Sequence, residues 1–359
     1  MSDGKHDAVS RRDFISHTGL LAGATLLGAG TAASAPAVEP PAKDLPPLTP
    51  GGLPRRILGR TNVPVTMFTL GTAPCGYLPP PKIAELVNVA LDEGVGAVDT
   101  SEMYNNSQEG VGLALGLPLG RRRKDVFLST KVFANTLAEA EKSLAKSIKL
   151  IKTDYFDVLY YHGVGNLKVD GALEPDGVFT WLVKQKKAGK CRFVGISGHN
   201  LPGRFARFLE TGEVDVLLVV VNFADRHTYH FEETVLPVAR KHNVGIVAMK
   251  VYGGAAKMNY KNPKGAQVER EHVPLALRYA LSMPGVATAD LGVHTVEEIR
   301  HNVRMVKEFR PLSAAEEAAL LETGKGLAAQ WGEHFGPAKE EKKTAWRQPA
   351  GGAGYPLLS

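Results

Sequence analysis

The chain has 359 residues, 44% of them apolar and 22% charged, a composition that excludes a disordered or fibrous protein. Its formal charge of +6 comes from basic residues dispersed among acids, which is no nucleic-acid footprint. Two cysteines, Cys75 and Cys191, are too few for a disulfide scaffold, a four-thiolate zinc site or a cysteine-ligated iron–sulfur cluster.

The first element is a targeting segment. Ser10-Arg11-Arg12-Asp13-Phe14-Ile15 precedes a run of small and apolar residues, Gly19 to Ala33, and then Ala33-Ser34-Ala35. An arginine pair, a mild apolar core and a small-x-small cleavage site make a twin-arginine signal over residues 1–35. A membrane anchor needs about 20 strongly apolar residues, and this core is shorter and rich in Gly, Ala and Thr. The expectation is a protein exported already folded by the twin-arginine translocase to the periplasm or beyond, with no stable membrane anchor. Residues 36–54 read as a Pro-rich extended linker.

From Val65 onwards, short apolar runs alternate with longer stretches of helical period. The strand candidates are Val65 to Thr72, Ala97 to Thr100, Val126 to Lys131, Phe156 to His162, Arg192 to Ser197, Val214 to Asn222, Gly245 to Lys250 and Ala289 to Val293. The helix candidates are Pro81 to Glu93, Leu137 to Leu150, Gly177 to Ala188, Pro202 to Glu210, Glu232 to His242, His272 to Ser282 and Val296 to Phe309. The basic run Arg121-Arg122-Arg123-Lys124 is a solvated turn before a strand. Near-continuous apolar strands belong to a parallel sheet covered on both faces, and eight such units make a (β/α)8 TIM barrel, here residues 55–310. Arg55 to Val63, before the first barrel strand, reads as a small hairpin closing the bottom. A doubly wound open sheet is the alternative, but no Gly-x-Gly-x-x-Gly follows the first strand. Residues 311–359 form a C-terminal extension.

Barrel active sites lie at the carboxyl ends of the strands. Strand two ends on Asp99, with Tyr104 five residues later; strand three ends on Lys131 and strand four on His162. Each has an ordinary reading as helix cap, surface charge or core histidine, but four acid–base groups converging on one mouth point to catalysis. A carbonyl that accepts a hydride develops negative charge on oxygen, so it needs a proton donor and a nearby cation. Tyr104 is the candidate donor, Lys131 the cation that favours its phenolate, Asp99 the group that aims Lys131, and His162 the group that orients the carbonyl oxygen or helps pass the proton. At about 4 Å and an effective dielectric of about 20, a Lys–phenolate pair is worth roughly 4 kcal/mol before desolvation.

The segment Ala97-Val98-Asp99-Thr100-Ser101-Glu102-Met103-Tyr104-Asn105-Asn106-Ser107-Gln108-Glu109-Gly110-Val111-Gly112, with Ser129-Thr130-Lys131-Val132 and Asp157-Val158-Leu159-Tyr160-Tyr161-His162, resembles the aldo-keto reductases over roughly Arg55 to Phe309. That resemblance implies an NAD(P)(H)-dependent oxidoreductase acting on a small-molecule carbonyl or alcohol, with NADP(H) ahead of NAD(H), no metal, and a monomer. It implies cofactor contacts at Gly71, Thr72, Asp99, Ser197, Lys250, Tyr252, Gly253, Gly254, Glu298 and Asn302. Gly-rich backbone at 253–254 can approach a pyrophosphate closely, and Glu298 and Asn302 share a helix face. Tyr77, His162, Asn222 and Phe223 are expected at the substrate, with Tyr104, Trp181 and Tyr252 as further aromatic candidates and His227 beside them.

This sequence departs from the family pattern in places. Gly198 and Leu218 stand where many members hold the carboxamide with Asn and Gln, and bases for a 2′-phosphate are missing around Gly292 and Glu298, leaving Arg300, Arg304 or Lys257 as substitutes. No Cys-rich ferredoxin-like tail is present. Asp225, His227 and His230 look superficially like a metal cluster, on weak spacing. Cys75 and Cys191 are a possible disulfide in an oxidising compartment. The aromatic tail, with Trp331, His334, Phe335 and Trp346, is expected to fold over the barrel mouth as a specificity element. A second functional reading is a nicotinamide-binding sensor on the same barrel with little turnover. A third, an isomerase, dehydratase or sugar hydrolase, lacks a second acid at a strand end.

Overall fold

A computed structural model describes residues 43–48, 50–116, 123–254 and 266–340. The signal segment, residues 36–42 of the linker, Arg121, Arg122, Lys257 and Trp346 lie outside the described residues.

Eight parallel strands close into a barrel in simple order: β1 (Phe68–Gly71), β2 (Ala97–Asp99), β3 (Phe127–Val132), β4 (Phe156–Tyr161), β5 (Cys191–Gly198), β6 (Val216–Val220), β7 (Gly245–Met249) and β8 (Val286–Gly292), with β8 hydrogen-bonded back to β1. Closure excludes the open doubly wound sheet. Every residue of β4, β6 and β7 is buried, because the barrel interior takes one face and the helical ring the other. The ring contains α1 (Pro80–Asp92), α2 (Ser107–Leu115), α3 (Leu137–Ile151), α4 (Val178–Lys187), α5 (Phe205–Leu209), three short helices α6 (Arg226–Tyr229), α7 (Phe231–Thr234) and α8 (Leu236–Lys241), then α9 (Val273–Ser282), α10 (Val296–Lys307) and α11 (Ala314–Trp331). Helix starts are fixed chemically: Thr136, Thr295 and Ser313 each form a capping box with the Glu three residues on.

Four sequence expectations need correction. The apolar run from Val65 to Thr72 is two strands, not one. Pro64–Thr66 pairs antiparallel with Arg55–Ile57 in the expected hairpin, and β1 begins only after a bend at Met67. The hairpin buries Leu58 and Val65 against Tyr160, Val216, Val247 and Ala287 and so plugs the amino-terminal end of the barrel. The linker is anchored over its described part: Leu45 bridges to Arg55, Asp44 pairs with buried Arg56, and Leu53 is in the core. Cys75 follows the carboxyl end of β1 whereas Cys191 starts β5 at the opposite end of the barrel; both thiols are free. Finally, α2 and α11 were not foreseen. The first hides in a run with small polar residues, and the second is weakly amphipathic and buries only Leu320 and Gly324 fully.

Candidate active site

The strand ends bring the four expected groups together. Lys131 is 1% exposed, and its ammonium donates to Asp99 Oδ2 and, at 3.0 Å, to the carbonyl of Thr100. Asp99 Oδ1 accepts from Ser129 Oγ at 2.6 Å, so both carboxylate oxygens are held. Register explains the meeting, since Asp99 of β2 pairs with Ser129 of β3, two residues before Lys131 on the same side of the strand. Lys131 Nζ lies 4.8 Å from the centroid of the Tyr104 ring. Tyr104 meets the His162 ring edge-on at 6.2 Å, and Phe133 meets the same imidazole edge-on at 5.9 Å.

A network of small hydroxyls positions the loop that carries Tyr104. Ser107 Oγ pairs at 2.6 Å with both Thr72 and Thr100, and Thr72 Oγ1 donates to the carbonyl of Asp99. The amide of Ser107 donates to the carbonyl of Tyr104, and Gln108 donates to Thr130 and Ser147 at the start of α2. The polar residues after Tyr104 are therefore scaffold for the tyrosine. Thr72, expected at the cofactor, also belongs to this scaffold.

Electrostatics differentiate the groups. Burial, reinforced by the positive charges of Lys131 and Lys250, holds His162 well below the ordinary imidazole range, so it is neutral near pH 7. His199 is depressed in the same way, first by burial and then by Lys250. Burial lowers Lys250 to about 8 despite the attraction of Asp290 and Asp225. Asp290 moves the other way: burial and then the charge of Asp99 raise it far above the usual carboxylate range. His199 and Asp290 were not expected at the site, whereas His334 belongs to the tail expected over the mouth. Asp290 supplies the second acid thought to be absent, and it lines one small cavity together with Asp99.

The expected cofactor residues divide into two groups. At the end of β5, Ser197 Oγ is fully buried with no hydrogen-bond partner among the described residues, and both amide atoms of nearby Asn200 are likewise unmet. A buried unpaired hydroxyl and amide fit a carboxamide, which offers a donor and an acceptor. Gly253 has φ +83° and its missing side chain admits the backbone of Ala266, a conformation that suits a close-approach loop. Tyr252 donates to Asn302 Oδ1 at 3.0 Å, joining the end of β7 to α10. Glu298 is spent on the capping box of α10, and Arg300 pairs with Glu93. Gly71 is close-packed for a different reason, since a Cβ there would collide with the carboxyl of Asp290.

Of the substrate candidates, Tyr104 and His162 are at the mouth and half-buried Tyr77 ends the turn that follows β1. Asn222 and Phe223 are fully buried. The Asn222 amide donates to the carbonyls of Lys250 and Val251 and its oxygen accepts from the amides of Ala224 and Asp225, which braces the β6 and β7 loops. Phe223 is fully buried against His272 and Tyr279, and Trp181 sits on outer helix α4. His227 pairs with the carbonyl of Leu321 while Asp225 turns to His334, so the residues of the suspected metal cluster have separate partners. The extension does fold back over the barrel. His334 Nε2 lies 2.7 Å from Asp225 Oδ1 in a buried pair, and Phe335 stacks on His199 and lies against Gly254. Tyr229 locks the segment by accepting from the amide of Phe335 and donating to the carbonyl of Gly336.

Comparison with known proteins agrees with this architecture. A sequence model described as "Aldo/keto reductase family" matches residues 67–274. L-galactose dehydrogenase of Arabidopsis thaliana is 26% identical over 322 residues, covering 78% of this chain and 98% of that protein. An aldo-keto reductase of Bacillus halodurans in its holo form superposes with a TM-score of 0.61 at 23% identity, over 79% of this chain and 99% of that one. One from Klebsiella pneumoniae in complex with NADPH gives 0.58 at 22% identity, over 75% and 94%. At these identities the structural likeness is one of fold.

Proposed function

Since the chain belongs to the aldo/keto reductase family, we propose that it is an NADP(H)-dependent oxidoreductase that moves a hydride reversibly between nicotinamide and a small carbonyl or alcohol, with Tyr104 as proton donor. The observation that carries this reading is the buried Lys131 ammonium, fixed by Asp99 and 4.8 Å from the Tyr104 ring. NADP(H) is preferred over NAD(H) because the Klebsiella protein of this fold was crystallised with NADPH.

The nicotinamide, when bound, supplies the hydride. Ser197 and Asn200 would hold its carboxamide through their unmet polar atoms, and the backbone at Gly253 would leave room for the pyrophosphate. The chain's own groups handle the proton. Lys131 makes the Tyr104 hydroxyl more acidic by stabilising the phenolate left when its proton passes to the carbonyl oxygen. Asp99 keeps the ammonium aimed and stops it from folding back onto other acceptors. Neutral His162 has no proton to spare, so its task is to donate a hydrogen bond that orients the carbonyl oxygen. Burial of Lys131 and His162 to 1–2% exposure removes water that would screen these interactions. His199 and Phe335 shape the substrate side of the mouth, which makes the extension part of the specificity surface.

The test is to release any nucleotide that copurifies with the folded protein, identify it by mass, and titrate NADPH and NADH by fluorescence. Wild type and Tyr104→Phe are then compared in a single-turnover survey of aldehydes, ketones and quinones. Micromolar binding and tyrosine-dependent carbonyl reduction support the reading. Binding without hydride transfer to any carbonyl moves it to the sensor, and no binding ends it. We also propose that residues 1–35 direct twin-arginine export; Arg11→Lys with Arg12→Lys in a reporter fusion should block translocation, and unimpaired export would refute the assignment.

A further inference from the structure

We infer that Asp290 is a positioning residue of the catalytic centre: it shares one proton with Asp99 through the gap left by Gly71, and thereby sets how much of the positive charge of Lys131 reaches Tyr104. The inference rests on the reductase reading for its kinetic consequence, though not for its structural basis.

Strand geometry brings the two acids together. Thr288 and Asp290 are two apart on β8 and so face the same side, which is the barrel interior, where Thr288 pairs with Thr69 of β1 at 2.9 Å. Asp290 is in register with Thr69, and Gly71 lies two residues further along β1. On its other side Gly71 is in register with Asp99 of β2. A Cβ at 71 would collide with Asp290 Oδ1, so glycine there leaves room for that carboxyl beside the strand position that is in register with Asp99. The two acids line one cavity of about 10 Å³ together with Thr69, Ser129, Tyr160 and Thr288. Gly71 was expected at the cofactor; the packing gives glycine there a further reason, the room it leaves for Asp290.

Two carboxyl groups buried around one small cavity resist double ionisation, because like charges repel strongly at low dielectric. Asp99 already accepts from Lys131 and Ser129, which stabilises its charge. Asp290 has a buried Oδ1 with no hydrogen-bond partner among the described residues, so it is the better site for the proton. Burial and the charge of Asp99 favour that placement, against the pull of Lys131 and Lys250. The other titratable neighbours are Tyr160 and His162 at β4. Burial keeps both neutral, with the two acids adding to the effect at Tyr160 and the two lysines at His162. The pair therefore carries a single negative charge at neutral pH. Loss of the shared proton would double that charge, offset Lys131 more fully and make Tyr104 hold its proton to higher pH.

The experiment has two arms. In the first, infrared difference spectra of wild type minus Asp290→Asn at neutral pH should contain the carbonyl stretch of a protonated carboxylic acid; its absence overturns the inference whatever the enzyme's substrate. In the second, the pH profile of kcat for carbonyl reduction is compared. Asp290→Asn fixes the pair at one negative charge, so the alkaline limb should move to lower pH by about one unit. Gly71→Ala, which drives Asp290 away from Asp99, should also displace the limb. A residue that only packs would change thermal stability or KM and leave the limb in place, and that result also overturns the inference. If wild type reduces no carbonyl, the reductase reading has failed by itself. The second arm is then read as tyrosinate absorbance, taken as the difference between each protein and its Tyr104→Phe counterpart, with the same shift expected and its absence equally fatal.

Discussion

Both ends of the barrel bury carboxylates, and they use them in opposite ways. At the amino-terminal end, Asp157 accepts from the Leu128 amide and Arg123 through one oxygen and from Arg192 through the other. Asp215 there accepts from the Val194 amide and Lys186, with Arg60 3.5 Å away. Each acid ties a strand to its neighbour and is answered by bases at the rim, while Leu58 and Val65 seal the space above them. At the carboxyl end, Asp99, Asp290 and Asp225 sit among Lys131, Lys250 and neutral imidazoles, and several polar atoms are left unmet: Ser197 Oγ, the Asn200 amide, Asp225 Oδ2 and Asp290 Oδ1. A saturated network stabilises; an unsaturated one retains capacity for a ligand or a proton. The contrast assigns one end to stability and the other to chemistry.

That division can be broken by mutation. The largest effect should be at the mouth: Tyr104→Phe should lower single-turnover reduction by about 10²–10⁴-fold while changing the denaturation midpoint little, since it removes one proton donor and no core packing. A fall in stability as large as the fall in rate would dissolve the contrast. At the other end, Asp157→Ala should cost about 2–3 kcal/mol in a urea titration, because it removes the acceptor of the Leu128 amide and of half-exposed Arg192 and the counter-charge of Arg123, which keeps its carbonyl partners. The kcat of the folded variant should stay within about twofold of wild type, on the same logic of separated ends.

A pH titration sharpens the picture. Native His199 refuses a proton that the unfolded chain accepts below about pH 6.5, so it contributes full stability above that value and loses about 1.4 kcal/mol per pH unit below it. His199→Asn should flatten the stability curve on the acid side, measured by chemical denaturation from pH 7 to 5, and an unchanged slope would mean the imidazole is not held neutral. The smallest effect belongs to a helix cap just beyond the carboxyl end of β8. Thr295→Ala removes the cap of α10 and should cost about 1 kcal/mol, with cofactor affinity preserved if Glu298 serves only the helix. A marked loss of NADPH binding would return Glu298 to the cofactor site.

The barrel was legible because its signals are local. An apolar run such as Val216–Val220 can only be a strand buried on both faces, and the caps and turns that punctuate such runs are short-range chemistry. Asp99, Tyr104, Lys131 and His162 were legible because each ends a strand or follows one, and strand ends share a face of the barrel by topology alone. Asn222 and Phe223 were read at the mouth on the same ground, but a strand end does not say which way a side chain turns, and both are buried. Asp290 gave no signal, being one acid in an apolar run whose inward direction depends on the register of β8 against β1. His199 and His334, far apart in sequence, meet around Phe335 only because the extension returns across the barrel.

The sequence by itself therefore determined the alternation of strand and helix, the closure of eight units and the four groups at the strand ends, all consequences of hydrophobic period and chain order. The placing of Asp290 and Asp99 around one cavity, the approach of Asp290 to Gly71 and the partner of Asp225 came from the folded chain. Those depend on inter-strand register and long-range approach, which set distances of a few ångströms between residues that no local pattern connects.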